Sequence, residues 1–329
     1  MRTRLVLLAV IWAGFALRLF AEGPSTQWTT SVDTIVSTGD TRYLMEELYA
    51  GVSSELIFPL NTLLAGVTFR GDHTGGRRDW GFEASVAVNL LAPFGKMEDF
   101  DWWMDPDYPK AAFSYTESDV SMIWLAASAA WKPILASGGW GNLAAVLGYR
   151  LQYVYQEANG YIGWVYADLT DADPAPPDTP DGQPELYSQY GTGVVLTYWV
   201  LWNVPTAGLS ITLRPVAGVT VKAEAGVAVP YVADEDDHVL RYKLSTASGL
   251  GFGGYADLAV RYSWGKAQSR IRPFLVFSGA ALGLKANTQQ TQTYYTGATE
   301  ELPGTSYYGV DHQISTRQLA VLVGGGIEY

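Results

Sequence analysis

The chain has 329 residues, no cysteine, a net charge of −12 and only 16% charged residues. The absence of cysteine excludes a disulfide framework and a thiolate metal site. The negative charge argues against nucleic acid as a partner, because phosphates require a basic protein face. An average soluble domain has about 25% charged residues, so the low charged fraction here favours a surface that is not solvated throughout.

The N-terminus has the features of a secretory signal peptide. Arg2 and Arg4 lead into an apolar run from Leu5 to Ala16, which matches the charged and apolar regions of such a peptide. A membrane anchor is the alternative, but the short run and the strand-like chain that follows favour removal. We therefore predict a signal peptide over residues 1–21 and a single domain over residues 22–329.

Alternation of apolar and polar residues is the main structural signal in the rest of the chain. From Leu209, apolar residues occupy odd positions such as Ile211 and Val221, and polar residues occupy even positions such as Thr212 and Lys222. Such segments exceed the roughly 9–11 residues that cross a bilayer as a tilted strand. A closed barrel is the form that pairs every backbone group in lipid, whereas strands of a soluble β-sandwich, the alternative, average about five or six residues.

Turn signals divide the chain into ten predicted strands. Short turns are predicted near residues 72–78, 135–141, 203–207 and 264–269, and longer loops near 38–42, 95–118, 160–189, 234–239 and 285–311. Short periplasmic turns that alternate with long external loops are typical of outer-membrane barrels. Pro59 lies inside a predicted strand and predicts a bulge there. The predicted fold is all-β, a ten-stranded antiparallel transmembrane β-barrel with long strands that extend above the outer membrane.

Two acidic segments fall in predicted loops on the same external rim. Asp99 and Asp101 alternate in one segment, as do Asp236 and His238 in the other, so each pair would point to one side of an extended chain. A histidine with a pKa of about 6.5 can take a proton from water, and a neighbouring carboxylate can orient its ring. Closely spaced carboxylates share protons, so one of them can stay protonated. The four residues are thus predicted to form a catalytic centre that activates water.

Three other interpretations of these residues remain open at this point. The first is a solvated acidic loop with an incidental histidine. The second is a calcium site, although the run from Asp234 to Asp237 lacks the spacing and central glycine of an EF-hand. The third is a transition-metal site, for which a single histidine with carboxylates is a poor ligand set. No metal is predicted, and neither His73 nor His312 is assigned a catalytic role.

The quoted segments resemble the omptin family, outer-membrane endopeptidases built on a ten-stranded barrel. The similarity is carried by three motifs in the family's order: Tyr43-Leu44-Met45-Glu46-Glu47, Asp99-Phe100-Asp101-Trp102 followed by Met104-Asp105, and Asp234-x-Asp236-x-His238. It implies that Asp236 and His238 activate the attacking water and that Asp99 and Asp101 complete the centre. It also implies that Asp40 and Asp234 bind a basic side chain of the substrate, and that cleavage falls between two basic residues.

The resemblance further implies an outer-membrane location, with the active site facing the cell exterior. The expected partners are basic peptides or proteins and outer-membrane lipid, with lipopolysaccharide as an activating lipid and no cofactor. Asp40 stands where a glutamate is expected, and the loops near 160–189 and 285–311 show no match to the family. The alternative function is a non-enzymatic barrel, either an adhesin or a narrow cation-selective pore. Inward-pointing charges such as Arg150 and Arg261 would leave a pore little space.

Overall fold

The computed structural model is built almost entirely of antiparallel β-strands. It describes residues 26–48, 52–73, 80–104, 109–166, 186–265, 271–295 and 303–329, so the predicted signal peptide lies outside the described residues. The strands are β1 (Thr26–Leu48), β2 (Val52–Pro59), β3 (Thr62–His73), β4 (Trp80–Asn89), β5 (Met97–Met104), β6 (Pro109–Gly138), β7 (Gly141–Tyr166), β8 (Leu186–Leu213), β9 (Val219–Ala228), β10 (Tyr231–His238), β11 (Lys243–Ser263), β12 (Arg272–Tyr294) and β13 (Ser306–Glu328). Within these ranges the only helical segment is a 3₁₀ turn, Val239–Arg241, and no helix is long and apolar enough to cross a membrane.

The sheet closes on itself into a barrel of ten strands. Strand β1 pairs on one side with β13 and on the other with β2 and β3. The segments β2 and β3, β4 and β5, and β9 and β10 each form one barrel strand with a short interruption, so the 13 segments make a ring of 10 strands. The predicted fold is confirmed. The bulge predicted at Pro59 is instead a break, because β2 ends there and β3 begins at Thr62.

An apolar band encircles the outer wall of part of the barrel. Outward side chains in this band, such as Val32, Leu258 and Val323, are more than half exposed, at 67%, 55% and 55%. Neighbouring inward positions such as Ser31 and Asp33 are buried and polar. An apolar outer face over a polar interior is the pattern of strands that face lipid on one side. On β11 the band runs from Leu250 to Tyr262.

Beyond this band the strands continue further than the sequence predicted. The segments 38–42 and 234–239 were predicted as loops, but the first lies inside β1 and the second is strand as far as His238. The segment 203–207 was predicted as a turn, but it lies inside β8, beside Leu209 of the apolar band, and the turn after β8 falls at residues 214–218. Most of the described residues in the predicted loops 95–118, 160–189 and 285–311 are also strand, whereas 105–108, 167–185 and 296–302 lie outside the described residues. Above the band both faces of a strand carry polar residues, so the alternation that marks a strand disappears. The turn predicted near 135–141 is confirmed. Most of the turns predicted near 72–78 and 264–269 lies outside the described residues.

Gly39 keeps β1 continuous where the sequence suggested a loop. Its φ of +139° lies in the region that favours glycine, and a Cβ there would approach the Arg317 carbonyl oxygen to 1.9 Å. The Gly39 amide donates to Asn61 Oδ1 at 2.9 Å, and its carbonyl accepts from Leu60 N at 2.9 Å. The break between β2 and β3 therefore docks against β1 and seals the wall.

Candidate active site

Two strands carry the predicted catalytic residues into the lumen, beyond the apolar band. Strand β5 lies between β2 and β6, and β10 lies between β8 and β11. The two strands are thus four places apart in a ring of 10 and face each other across the barrel. Because side chains alternate along a strand, Asp99 and Asp101 share one face of β5. Asp234, Asp236 and His238 share the buried face of β10.

Asp236 and His238 form a close pair on β10. His238 Nε2 lies 2.8 Å from Asp236 Oδ2, and the Asp236 side chain is fully buried. Neither atom makes an aligned hydrogen bond with any described residue, so the contact is one of distance and charge. Catalytic hydrogen bonds are often poorly aligned until substrate binds. Burial lowers the pKa of His238, although Asp236 acts in the opposite direction, so the imidazole is neutral and basic at neutral pH.

The carboxylates of β5 are held by serines on both neighbouring strands. Ser114 Oγ donates to Asp101 Oδ2 at 2.9 Å, and Ser54 Oγ lies 3.4 Å from Asp99 Oδ1. Burial, and then the charge of Asp101, raise the pKa of Asp99 to about 7. Asp236 on the opposite wall also raises it, whereas Lys243 lowers it. The two walls are therefore electrostatically coupled across the lumen.

We expect Asp101→Asn to lower the pKa of Asp99, because it removes the largest charge that opposes ionisation of that carboxyl. Asp99 would then ionise below pH 7 instead of holding its proton near neutrality. Carboxyl ¹³C chemical shifts followed through a pH titration measure this directly. Asp311→Asn, at an exposed position on β13, should leave the titration unchanged. An Asp99 midpoint that stays near 7 in Asp101→Asn would contradict this account.

A second histidine and carboxylate lie directly beside the first pair. His312 Nε2 is 3.7 Å from Asp234 Oδ2, and both side chains are buried. Thr288 Oγ1 is 2.8 Å from His312 Nδ1, and the ring of Tyr43 lies 4.1 Å from the histidine ring. Burial lowers the pKa of His312 to about 4, while burial and Asp236 raise that of Asp234 well above its usual range. His312 was not predicted as a site residue, although it is in phase with the buried Ile314 of β13.

Unpaired polar atoms are concentrated at this point in the lumen. Both carboxylate oxygens of Asp234 and Asp236, and Nε2 of His238 and His312, are buried without a hydrogen-bond partner among the described residues. Most buried polar atoms in native proteins are hydrogen-bonded, so such a cluster is costly for folding. A binding or catalytic site accounts for that cost, because its polar atoms are kept for substrate and water.

Two cations near the site were not predicted. Lys243 is buried at the start of β11, and burial together with Arg241 lowers its pKa. Both residues interact electrostatically with Asp99. The signal for Lys243 was available in the sequence, since it shares its strand face with Ser245 and Ala247. The pattern could not show that this face meets β5 across the lumen.

Asp40 does not lie with the other predicted site residues, and its predicted position in the pocket is corrected. On β1 the inward positions are odd and include the buried Thr41 and Tyr43. Asp40 therefore points to the outer wall, where its Oδ1 accepts from Arg42 Nε at 3.0 Å. Arg42 also contacts Glu55 Oε1 at 3.3 Å. Asp234 is the one predicted substrate-binding residue that the structure brings to the site.

The site shows no arrangement suited to a metal ion. Across the part of the chain that the structure describes, no group of three or more histidine and carboxylate side chains is spaced to hold one. Asp105 and Asp107, in the same acidic segment as Asp99, lie outside the described residues. The donors present are single oxygens on facing walls, which suit a water molecule and a cationic side chain better than a closed ligand shell.

The barrel is similar to a solved outer-membrane enzyme. The outer-membrane protease OmpT from Escherichia coli matches with a TM-score of 0.67 and 13% sequence identity, over 92% of this chain and 96% of that chain. This chain has the barrel fold of OmpT. The identity is too low to show more than the fold, so the resemblance to the omptin family is supported at that level.

Two other barrels are less similar. The translocator domain of the autotransporter NalP from Neisseria meningitidis matches with a TM-score of 0.35 and 10% identity, over 98% of this chain and 95% of that chain. The outer membrane protein OprG from Pseudomonas aeruginosa matches with a TM-score of 0.35 and 9% identity, over 92% and 95%. Neither bears on the function here. No protein-family model and no curated protein matches the sequence.

Proposed function

We propose that this protein is an endopeptidase of omptin type that hydrolyses peptide bonds next to basic residues. The single observation that carries the proposal is the 2.8 Å contact of His238 with the buried Asp236, on the wall facing Asp99 and Asp101. In this site the neutral imidazole of His238, the carboxyl group of Asp236 and the protonatable carboxyl group of Asp99 face one another. Those groups are what hydrolysis by an activated water requires.

The chemistry follows from the protonation states. A water molecule between the walls gives its proton to neutral His238 as its oxygen attacks the carbonyl carbon. Asp236 stabilises the imidazolium that forms, as the carboxylate of a serine-protease triad does. Asp99, with its pKa of about 7, donates a hydrogen bond to the carbonyl oxygen as negative charge develops there. The imidazolium then protonates the leaving amine, and the C–N bond breaks.

Asp234 is the residue that we propose selects a basic substrate. Its carboxylate is buried next to Asp236 and lacks a hydrogen-bond partner among the described residues. A guanidinium can satisfy two carboxylate oxygens at once with charge-assisted hydrogen bonds. A bound arginine side chain would therefore pair with both oxygens and favour the ionised form of Asp234, and the negative rim would raise the rate at which cationic substrates arrive.

The proposed location is the outer membrane, with the site toward the cell exterior. The apolar band supports a lipid-facing wall. The proposed orientation rests on the even number of strands, since β1 begins and β13 ends at the mouth opposite the candidate active site. The proposed partners are basic peptides or exposed protein segments. Lipopolysaccharide as an activating lipid stays part of the proposal, to be tested in the same assay.

A quenched fluorescent peptide with an Arg-Arg centre tests the proposed activity. The refolded barrel, assayed with and without lipopolysaccharide, should cleave it between the two arginines, and mass spectrometry of the products locates the cut. A matched Gln-Gln peptide should be left intact. If a barrel shown to be folded cleaves neither peptide in either condition, the proposed activity is wrong.

Asp234 and Asp40 were both predicted to bind the substrate, but their substitution should affect cleavage differently. Asp234→Asn should lower kcat/KM for the Arg-Arg peptide by about 10²–10³-fold, the range expected when a charge-assisted contact worth about 3–4 kcal/mol is lost. Asp40→Asn should change it less than about threefold, because Asp40 lies on the outer wall with Arg42. Steady-state kinetics of the two variants provide the comparison. An equal loss in both would contradict the placement of Asp40.

The main alternative is a narrow pore. Ion pairs that cross the lumen on the side where β1 begins, here called the lower lumen, argue against it. Glu83 of β4 contacts Lys132 of β6 and Lys222 of β9 at 2.9 Å each, so ion pairs join opposite walls. Arg150 and Asp257 add another pair at 2.7 Å. In planar bilayers the folded barrel should show almost no single-channel conductance. Steady cation-selective channels would favour the pore over the enzyme.

A further inference from the structure

The mouth opposite the acidic rim contains a cavity of about 480 Å³. It lies where β3, β8, β11 and β13 reach the end of the barrel at which β1 begins and β13 ends. Six cationic and three acidic side chains line it: Arg70, Lys132, Arg214, Lys222, Arg261 and Arg272, with Asp72, Glu83 and Glu328. The two ends of the lumen thus have opposite character, acidic at the candidate active site and basic here.

The carboxylates of this cavity are shared among more cations than they can neutralise. Glu83 pairs with Arg70 at 2.7 Å and also with two lysines. Glu328 is contacted by both Arg261, at 3.4 Å, and Arg272. Glu224, just outside the cavity lining, pairs with the same two lysines at 3.0 Å. Among the described residues, Arg214 makes no ion pair at all.

The arginines are also close enough to repel one another. Arg261 experiences unfavourable electrostatic interactions with Arg70, Arg272 and Arg214, and a favourable one with Asp72. Its Nε is buried and has no hydrogen-bond partner in the described part of the chain. The like charges of the arginines around one cavity and the unpaired Nε donor of Arg261 both disfavour folding. An anion bound among these guanidinium groups would relieve both.

The chemistry of the lining favours phosphate over smaller or singly charged anions. Guanidinium groups present flat pairs of N–H donors that match phosphate oxygens in bidentate fashion. Several of them around one cavity suit a dianion with more than two acceptor oxygens. Asn142, Ser210 and Thr212 add neutral polar groups to the same lining.

We propose that this cavity is a phosphate-binding site, which takes inorganic phosphate or the phosphate group of a lipid headgroup at the mouth opposite the active site. Arg214 and Arg261 are its main ligands. The inference stands apart from the proposed protease activity, because none of its residues belongs to the candidate active site.

Isothermal titration calorimetry on the refolded full-length barrel in zwitterionic detergent tests the site. The probes are inorganic phosphate and the short-chain lipid dihexanoyl phosphatidic acid, each measured at matched ionic strength in sodium chloride. We expect saturable binding of one phosphate group per chain. Binding of both probes identifies phosphate itself as the ligand, whereas binding of the lipid alone assigns the site to a headgroup. Failure of both to bind saturably overturns the proposal.

Three variants make the result specific. Arg214→Gln and Arg261→Gln should each weaken binding at least tenfold, and Arg317→Gln, at an exposed position on β13, should leave it unchanged. Loss of Arg261 also removes a partner of Glu328, so folding is checked by the gel mobility of the unheated barrel. Arg214 lies in an exposed turn, so Arg214→Gln should fold normally. If Arg261→Gln misfolds, the affinity of Arg214→Gln for phosphate tests the proposal. Equal weakening by Arg317→Gln would show non-specific charge attraction and reject the site.

Discussion

His238→Ala should lower kcat for the Arg-Arg peptide by about 10³–10⁴-fold, since a positioned general base contributes about 10²–10⁴ and its partner carboxylate acts only through it. Asp236→Asn should cost nearly as much, because the imidazolium loses the carboxylate 2.8 Å away. The double variant should be little worse than either single one, as is usual for residues that act as a unit. Steady-state cleavage assays on equal amounts of folded barrel give all three values.

Asp236→Asn should not destabilise the barrel. The Asp236 side chain is fully buried, and its oxygens make no hydrogen bond with any described residue. Burial of a carboxyl group without hydrogen bonds is costly, and a neutral amide of the same size costs no more. The urea midpoint of Asp236→Asn should therefore equal or exceed that of the parent, whereas His238→Ala should lower it, because it leaves the buried Asp236 without its partner. Asp236→Asn thus separates a catalytic role from a structural one, in which activity and stability would fall together.

His73→Ala is the matched control for the histidine. His73 stacks on Trp80 at the other end of the barrel, with ring centroids 5.5 Å apart, and should retain full activity. Cleavage that survives both His238→Ala and Asp236→Asn would remove the dyad from the mechanism. It would leave Asp99 and Asp101 as the groups to examine.

The barrel and most of the candidate site could be predicted from the sequence, because side chains alternate between the two faces of a strand with a period of two residues. Alternation across the apolar band marks the wall, and the same alternation places Asp99 with Asp101 and Asp236 with His238. Asp234 lies on the same face as the second pair, but its role was implied by the resemblance alone. These positions are related within a single strand, so they can be predicted without knowledge of the tertiary structure.

What the sequence could not supply depends on relations between strands. The resemblance implied that Asp40 joins Asp234 in the pocket, but the alternation along β1 turns Asp40 to the outer wall. His312 reaches Asp234 only because β13 and β10 curve toward one lumen. Above the apolar band, polar residues occupy both faces, so strands there were predicted as loops.

Glu83→Gln should lower the free energy of unfolding by about 3–5 kcal/mol, the cost of removing one partner from a buried ion-pair network. Glu83 Oε2 accepts from Arg70 at 2.7 Å and from Lys132 and Lys222 at 2.9 Å each. Its side chain is 25% exposed, so the lower part of that range is the better expectation. Three cations would then compete for the remaining carboxylate of Glu224. Urea-induced unfolding in lipid vesicles measures the loss.

Two comparisons show whether the loss comes from the network. Lys96→Gln breaks an ion pair with Glu117 in which the side chains are 47% and 35% exposed, and it should cost less than about 1 kcal/mol. Combining Glu83→Gln with Lys222→Gln removes one of the stranded cations and should recover part of the loss, a coupling that a double-mutant cycle quantifies. If Glu83→Gln costs no more than Lys96→Gln, the charges in the lower lumen do not stabilise the barrel. Side-chain packing would then account for the stability of the lower lumen. The cations at the basic mouth would have no role in stability, and phosphate binding would be the role left for them.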